Sequence, residues 1–178
     1  MDQTNQSTNR RIELSPTEWV VLGLLAEGPA HGFAVAKELR AGTDLGRIMT
    51  VHRPLVYRAL DRLVAAELVE HHHTEPGDAG PNRTLHRPTR RGRGAVNRWL
   101  DRPVGHIREL RIEFLLKLRL NERRSRDSTK LITKQRRVLE DTMARLTCDP
   151  GTDVVDLWRS HNARAAKSFL DDLNRSHH

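Results

Sequence analysis

The chain has 178 residues, 37% of them hydrophobic and 30% charged, with a formal net charge of +8 at pH 7. That length suits one domain with an appendage or two small domains, and the excess of cations points to an anionic partner, nucleic acid before an acidic membrane surface. The longest apolar run, Trp19-Val-Val-Leu-Gly-Leu-Leu-Ala26, is too short to cross a bilayer, the start of the chain is polar, and the single Cys148 allows neither an internal disulfide nor a cysteine-based metal site, so no membrane association, no cofactor and a cytoplasmic location are expected.

Residues 1–13 are rich in Asn, Gln, Thr and Ser and contain Arg10-Arg11, which predicts a flexible arm. The first helix follows at once. Ser15 is an N-cap, Pro16 fits the first helical position, and Glu18 completes the spacing of a capping box. Trp19, Leu22, Leu25 and Ala26 form its apolar stripe, and Gly28-Pro29 stops it. A short second helix from His31 has Phe33, Ala36 and Leu39 at helical spacing, and Gly42 ends it.

Residues 50–68 form the third helix, starting near His52 or Arg53. Val56, Leu60, Leu63 and Val64 make an apolar face by the i, i+4, i+7, i+8 rule. The opposite face carries Leu55, Arg58, Asp61 and Arg62, flanked by Tyr57. A helix that packs on a core and keeps a basic outer face suits entry into a DNA major groove; an amphipathic surface helix is the plainer reading. The neighbours decide between them. Strand-like segments from Leu68 and from Arg83 flank a turn-rich 76–82, and between Arg83 and Arg98 stand six arginines (Arg83, Arg87, Arg90, Arg91, Arg93, Arg98) with no acid. Three helices followed by a two-stranded basic hairpin are a winged helix. Thr89 caps a fourth helix that runs to Leu100, and Asp101-Arg-Pro103 is the boundary between a winged-helix domain, 14–102, and a C-terminal region, 103–174.

That region is helical. Ile107, Leu110, Phe114 and Leu118 share one face; Leu131, Gln135, Val138, Leu139, Thr142 and Leu146 continue the pattern; after an Asp149-Pro-Gly-Thr turn, Val155, Trp158, Asn162, Ala165, Ala166, Phe169 and Leu173 make a narrow stripe. Such a stripe predicts pairing with a partner helix, with an intramolecular three-helix bundle as the alternative. Ile107, Leu110, Phe114, Val155, Trp158, Ala165 and Phe169 are therefore the candidate dimerisation residues. The expected fold is mainly α, with a winged helix-turn-helix N-terminal domain of three helices plus a two-stranded wing, and a C-terminal helical dimerisation region.

Several segments of the chain resemble the PadR family of bacterial transcription regulators. They are Trp19-Val-Val-Leu-Gly-Leu-Leu-Ala-Glu-Gly-Pro-Ala-His-Gly-Phe, Leu55-Val-Tyr-Arg-Ala-Leu-Asp-Arg-Leu and Arg87-Pro-Thr-Arg-Arg-Gly-Arg-Gly-Ala, with C-terminal stretches from Arg111 and Trp158. The resemblance implies a homodimer of winged helices that binds double-stranded DNA and commonly represses genes until a small molecule releases it. Many family members carry Ser at the position of His52, Gly or Ala at Pro54 and Thr at Leu55, so a hydroxyl that could touch phosphate is missing here and Leu55 can make an apolar contact instead.

Candidate DNA-binding residues are Arg53, Leu55, Tyr57, Arg58, Arg62, Arg83 and Arg87. Arg58 or Arg62 can read a guanine edge or hold a phosphate; the alternatives are a solvated arginine or a partner for Asp61. Trp99 and Trp158 are candidates for a pocket that takes a small aromatic or hydrophobic effector, against core packing. His71 and His73 would share a strand face with His86 across the hairpin, a metal hypothesis weaker than solvated histidines. Cys148 reads as a buried or inert thiol before a redox sensor. No catalytic constellation is present, so no enzyme activity is expected. A winged helix that binds a partner protein instead of DNA is the competing function; the arginine-rich wing argues against it.

Overall fold

The computed structural model describes residues 13–75, 82–148 and 153–176. The expected arm up to residue 12, most of the turn-rich 76–82 and the turn at 149–152 fall outside them. Helix α1 (Pro16–Leu25) starts on a reciprocal cap: the Ser15 hydroxyl accepts from the Glu18 N–H at 3.3 Å, and the Glu18 carboxylate accepts from the Ser15 N–H at 2.6 Å. The sequence predicts a stripe on this helix, yet Val20, Val21, Leu22, Leu24 and Leu25 are all buried. A helix that is apolar all round needs cover on every side. The additional cover comes from far along the chain. Leu120 packs where Gly23 lacks a side chain, and a Cβ on Gly23 would approach it to 2.6 Å.

Helix α2 (Gly32–Glu38) buries Val35, Ala36 and the following Leu39, while Phe33 is 52% exposed and so does not join the predicted stripe. Helix α3 (Arg53–Ala65) buries Val56, Ala59, Leu60 and Leu63. Strands β2 (Val69–Glu75) and β3 (Arg83–Pro88) form the expected antiparallel hairpin, but the sheet has three strands. The two-residue β1 (Ala30–His31) pairs with His86 and Leu85 of β3, giving the order β1-β3-β2. The two-stranded expectation missed β1 because two residues carry no alternation to read. Thr89 accepts from the Gly92 N–H at 3.0 Å and starts α4 (Arg90–Leu100). Gly92 lies so close to the Leu68 carbonyl that a Cβ would come within 1.9 Å of that oxygen, so glycine lets the helix meet the start of the wing.

The C-terminal region begins with a single helical turn, α5 (Ile107–Glu109), then a π-helical stretch (Leu110–Phe114) and α6 (Leu115–Arg123). Leu116 and Leu120 of α6 belong to the same core as α1, α3 and α4, so packing continues across residue 102. A second core joins Val104, Leu110 and Phe114 to α7 (Thr129–Cys148) and α8 (Val154–Ser176). These last two helices run antiparallel, with Arg136 near the start of one 3.0 Å from Asp171 near the end of the other.

Helix α8 buries only the later part of the predicted stripe within the chain, with Ala166 buried and Phe169 and Leu173 partly so. Its inward residues are Ser160, Ala163, Ala166 and Leu170, while Val155, Trp158 and Ala165 are exposed and Phe169 is partly buried. The smaller side chains Ser160, Ala163 and Ala166 let α7 approach closely. Leu110 and Phe114, expected at a dimer seam, are buried inside the chain, and Ile107 packs partly against them. Cys148 is exposed, not buried.

Gln135 ties the inter-region linker to α7. It is fully buried, its side-chain carbonyl accepts from the Val104 N–H at 2.7 Å, and its amide donates to the Val104 carbonyl at 2.9 Å. Both backbone groups of Val104 lie in the second core and depend on it. Gln135→Ala is expected to destabilise the chain by about 2–4 kcal/mol, read by chemical denaturation. A loss within the scatter of a surface substitution would mean that water replaces the amide without penalty.

Candidate nucleic-acid interface

Burying Val56, Ala59, Leu60 and Leu63 turns the other side of α3 outward. Arg53, Leu55, Tyr57, Arg58 and Arg62 are all exposed there, Leu55 by 43% and Tyr57 by 38%. The five α3 residues singled out from the sequence thus share one surface. Arg58 lies with Leu55 and Arg62 along a shallow cleft that reaches Ser15 and Glu18 at the start of α1.

Arg62 has a partner that the sequence did not suggest. Its guanidinium meets the Glu18 carboxylate at 3.2 Å, not Asp61. Burial pushes the Glu18 carboxyl up, but the Ser15 N–H and hydroxyl and then Arg62 outweigh it and hold the group below its usual range. The Arg62 side chain remains 68% exposed, so this pair contributes only about 0–1 kcal/mol and leaves the arginine able to meet a second anion. Arg53 has its guanidinium carbon 5.4 Å from the Phe33 ring and 5.4 Å from the Tyr57 ring.

The wing is less strongly cationic than its sequence window suggests. Antiparallel pairing puts Glu70 opposite Arg87, and the two side chains meet at 2.7 Å. Arg91 donates to the Ala66 carbonyl at 3.1 Å and lies 3.8 Å from Glu67, and Arg93 donates to the Pro88 carbonyl at 2.6 Å. Three of the six arginines are therefore engaged: Arg87 within the hairpin, Arg91 from α4 to the end of α3, and Arg93 from α4 to the end of β3. The acids that meet them come from before residue 83, which is why the 83–98 window looks uncompensated. Arg83 stands exposed at the outer end of β3.

His71 and His86 are register partners with ring centroids 5.0 Å apart. The His86 Nδ1 is buried without a hydrogen-bond partner. Burial lowers its pKa below the usual 6.5, the neighbouring His71 lowers it further, and Asp61 opposes. Among the described residues, no group of three or more His, Cys, Asp or Glu side chains converges as a metal site.

Trp99 and Trp158 are not brought together. Trp99 is buried and stacks on Trp19 at 5.0 Å with the rings 7° from parallel. Its indole N–H donates to Glu113 at 2.9 Å. Trp158 is 70% exposed and lines a separate cleft of about 480 Å³ with Ile107, Arg108, Arg111, Leu146 and Arg159.

Two cations on the segment 115–123 brace this surface from behind, and neither was singled out in the sequence. Arg123 forks onto Glu27 with two 2.8 Å bonds and reaches Glu38 at 3.0 Å and Asp44 at 3.6 Å. The bond to Glu27 does most to raise its pKa, against the cost of burial. One side chain thus ties α6 to the end of α1, the end of α2 and the loop before α3. Lys117 is 1% exposed, 2.6 Å from Glu113, bonded to the Arg102 carbonyl at 2.9 Å, and 5.0 Å from the Trp99 ring centroid. Burial lowers its pKa, and Glu113 opposes the shift.

Residues 21–98 match the model of the Transcriptional regulator PadR-like family. Among solved structures, the chain is similar to the crystal structure of Bacillus subtilis PadR in complex with operator DNA. The identity is 17%, with 88% of this chain and 97% of that one covered, at a TM-score of 0.47. No curated protein matches. Among the described residues, no helix is long and apolar enough to cross a membrane.

The depressed pKa of His86 gives the wing a pH dependence of defined sign. The unfolded chain takes up a proton near pH 6.5, and the folded chain does so only at lower pH. The contribution is therefore complete above about pH 6.5 and is lost as pH falls below it. Melting temperature followed from pH 8 to pH 5 should drop on the acid side, and His86→Leu should make that drop shallower. Identical acid slopes in the two proteins would rule out His86 as the source.

Proposed function

Because residues 21–98 match the model of the PadR-like family of transcriptional regulators, we propose that this chain is a sequence-specific DNA-binding regulator acting as a homodimer. The observation that carries the reading is the division of α3, with Val56, Ala59, Leu60 and Leu63 in the core and Arg53, Leu55, Tyr57, Arg58 and Arg62 on one outward surface. In this reading α3 enters the major groove. Arg58 reads a base edge, Leu55 makes an apolar contact, and Arg62 holds a phosphate while staying near Glu18. Arg83 and Arg87 of the wing meet the backbone. The DNA-binding unit, divided at Asp101-Arg-Pro103 in the sequence, extends in packing through α6, and the dimerisation region follows it.

The dimer surface is the outward face at the start of α8, where Val154, Val155, Leu157 and Trp158 are all at least half exposed. That is an unusual concentration of apolar side chains on a charged chain. A two-fold axis through it makes an isologous contact and presents two α3 helices to a near-palindromic operator, with half-sites one DNA turn apart or a multiple of it. The regulator represses from that operator in the cytoplasm. A small aromatic or hydrophobic effector has room in the cleft beside Trp158 and Ile107, so its binding would compete with or reshape the dimer contact. Trp99, stacked on Trp19, has no part in that pocket.

Arg58→Ala should weaken binding to a selected operator by about 1–3 kcal/mol and leave the assembly intact, measured by titration with duplexes enriched from a random pool. An equal loss on random duplex would reassign Arg58 to the phosphate backbone.

Deleting α8 would strip the second core, so assembly is better tested by charge. The pair Val155→Glu and Trp158→Glu alters side chains that the single chain already exposes. It should halve the mass seen by light scattering at micromolar concentration while the helical signal is kept. Operator affinity should fall far more than for Arg58→Ala, because two linked sites become one. A doubly substituted chain that still scatters as a dimer would sink this assignment of the interface.

A further inference from the structure

Phe33 is out of keeping with the rest of α2. It is 52% exposed, whereas Val35, Ala36 and Leu39 are buried. Its ring lies 6.3 Å from the His31 ring, 25° from parallel, and 5.4 Å from the guanidinium of Arg53, which is at the same distance from the Tyr57 ring. Tyr57 is braced in turn, since its ring passes over Gly32 so closely that a Cβ there would meet it at 2.9 Å. The first residue of the recognition helix is thus held against two aromatic rings on two different helices.

The chemistry of that arrangement is specific. Cation–π contact engages the flat faces of a guanidinium. The N–H donors point outward in the plane and stay free to fork onto an oxyanion. A carboxylate partner would instead occupy those donors. Beside the stack, a cleft of about 390 Å³ opens between α2 and the start of α3. Its lining includes Lys37, Arg40, His52 and Arg53 and no carboxylate. Three permanent cations gathered around one opening favour an oxyanion over the edge of a neutral base.

We propose that Phe33 is a positioning residue. With Tyr57 it holds the Arg53 guanidinium ready to bond one phosphate of the DNA backbone at the mouth of this cleft. The proposal rests on the DNA-binding function proposed for this chain and adds the phosphate contact and the residue that prepares it. It also gives Tyr57 a second task, since its ring supports Arg53 whether or not its hydroxyl touches DNA.

A double-substitution cycle on the full-length chain tests it. Phe33→Ala, Arg53→Ala, the double variant and Phe33→Tyr are titrated with a selected operator duplex and with a random duplex over a range of salt. Arg53→Ala should weaken both duplexes alike, by about tenfold, and lower the salt slope by the equivalent of about one phosphate. Phe33→Ala should weaken binding by about two- to fivefold, Phe33→Tyr should restore it, and the double variant should bind no more weakly than Arg53→Ala alone. Phe33 is exposed, so its removal opens no core cavity, and unchanged melting temperatures separate positioning from folding. A double variant that loses the full product of both effects would overturn the role of Phe33. A loss by Arg53→Ala confined to the selected duplex would make Arg53 a base reader and overturn the phosphate assignment. Unaltered binding by Arg53→Ala would overturn the proposal while leaving the DNA-binding function intact. Failure of the unsubstituted chain to bind any duplex would overturn both.

Discussion

Helix α1 has almost no solvent side, and the rest of the chain is arranged around supplying its cover. Helices α3 and α4 take part of its circumference, and α6 takes another part, with Leu120 lying where Gly23 leaves room. Each fully buried Val or Leu contributes about 1.5–3 kcal/mol relative to exposure, so an uncovered flank would forfeit several such contributions together. Helix α3 inherits its position from this packing. Val56, Leu60 and Leu63 can face inward only because α1 is held firmly enough to receive them.

Polar ties make the arrangement directional. Apolar packing alone would tolerate a slide of α6 along α1. Arg123 opposes that slide, because its fork meets carboxylates at the ends of two different helices and in the loop before a third. Lys117 and Gln135 do the same at the other end of the segment, one through Glu113 and the Arg102 carbonyl, the other through both backbone groups of Val104. Buried groups of this kind add little net stability but penalise any arrangement that leaves them unmet.

The parts of this architecture that rest on local rules are legible in the sequence. The Ser15–Glu18 box, the Thr89 cap, the start of α3 and the return strand from Arg83 all follow from a few neighbouring residues, whereas α3 ends at Ala65, short of the expected residue 68. The outward placement of Leu55, Arg58 and Arg62, flanked by Tyr57, follows from helical periodicity alone. What is not legible depends on partners distant in the chain. Arg62 meets a carboxylate 44 positions away, Arg87 is matched by a strand register that no single window contains, and α1 is enclosed by a helix that begins after residue 114. Helix α8 escapes its pattern for a different reason. Val155, Trp158 and Ala165 turn outward, and the face that packs includes Ser160 and Ala163, which a hydrophobicity pattern barely registers.

The placement of Leu120 against Gly23 bears on how portable the outward surface of α3 is. Residues 14–102 look self-contained in the sequence, yet the seal on α1 is delivered by a segment that returns only after the linker at 103–106 has docked on α7. A fusion or recombination that transplants the winged helix with its junction at residue 102 would carry an open hydrophobic flank into its new host. A junction beyond Arg123 would move the seal and its ion pairs together, making that the natural seam for exchanging the remaining C-terminal helices among chains of this architecture.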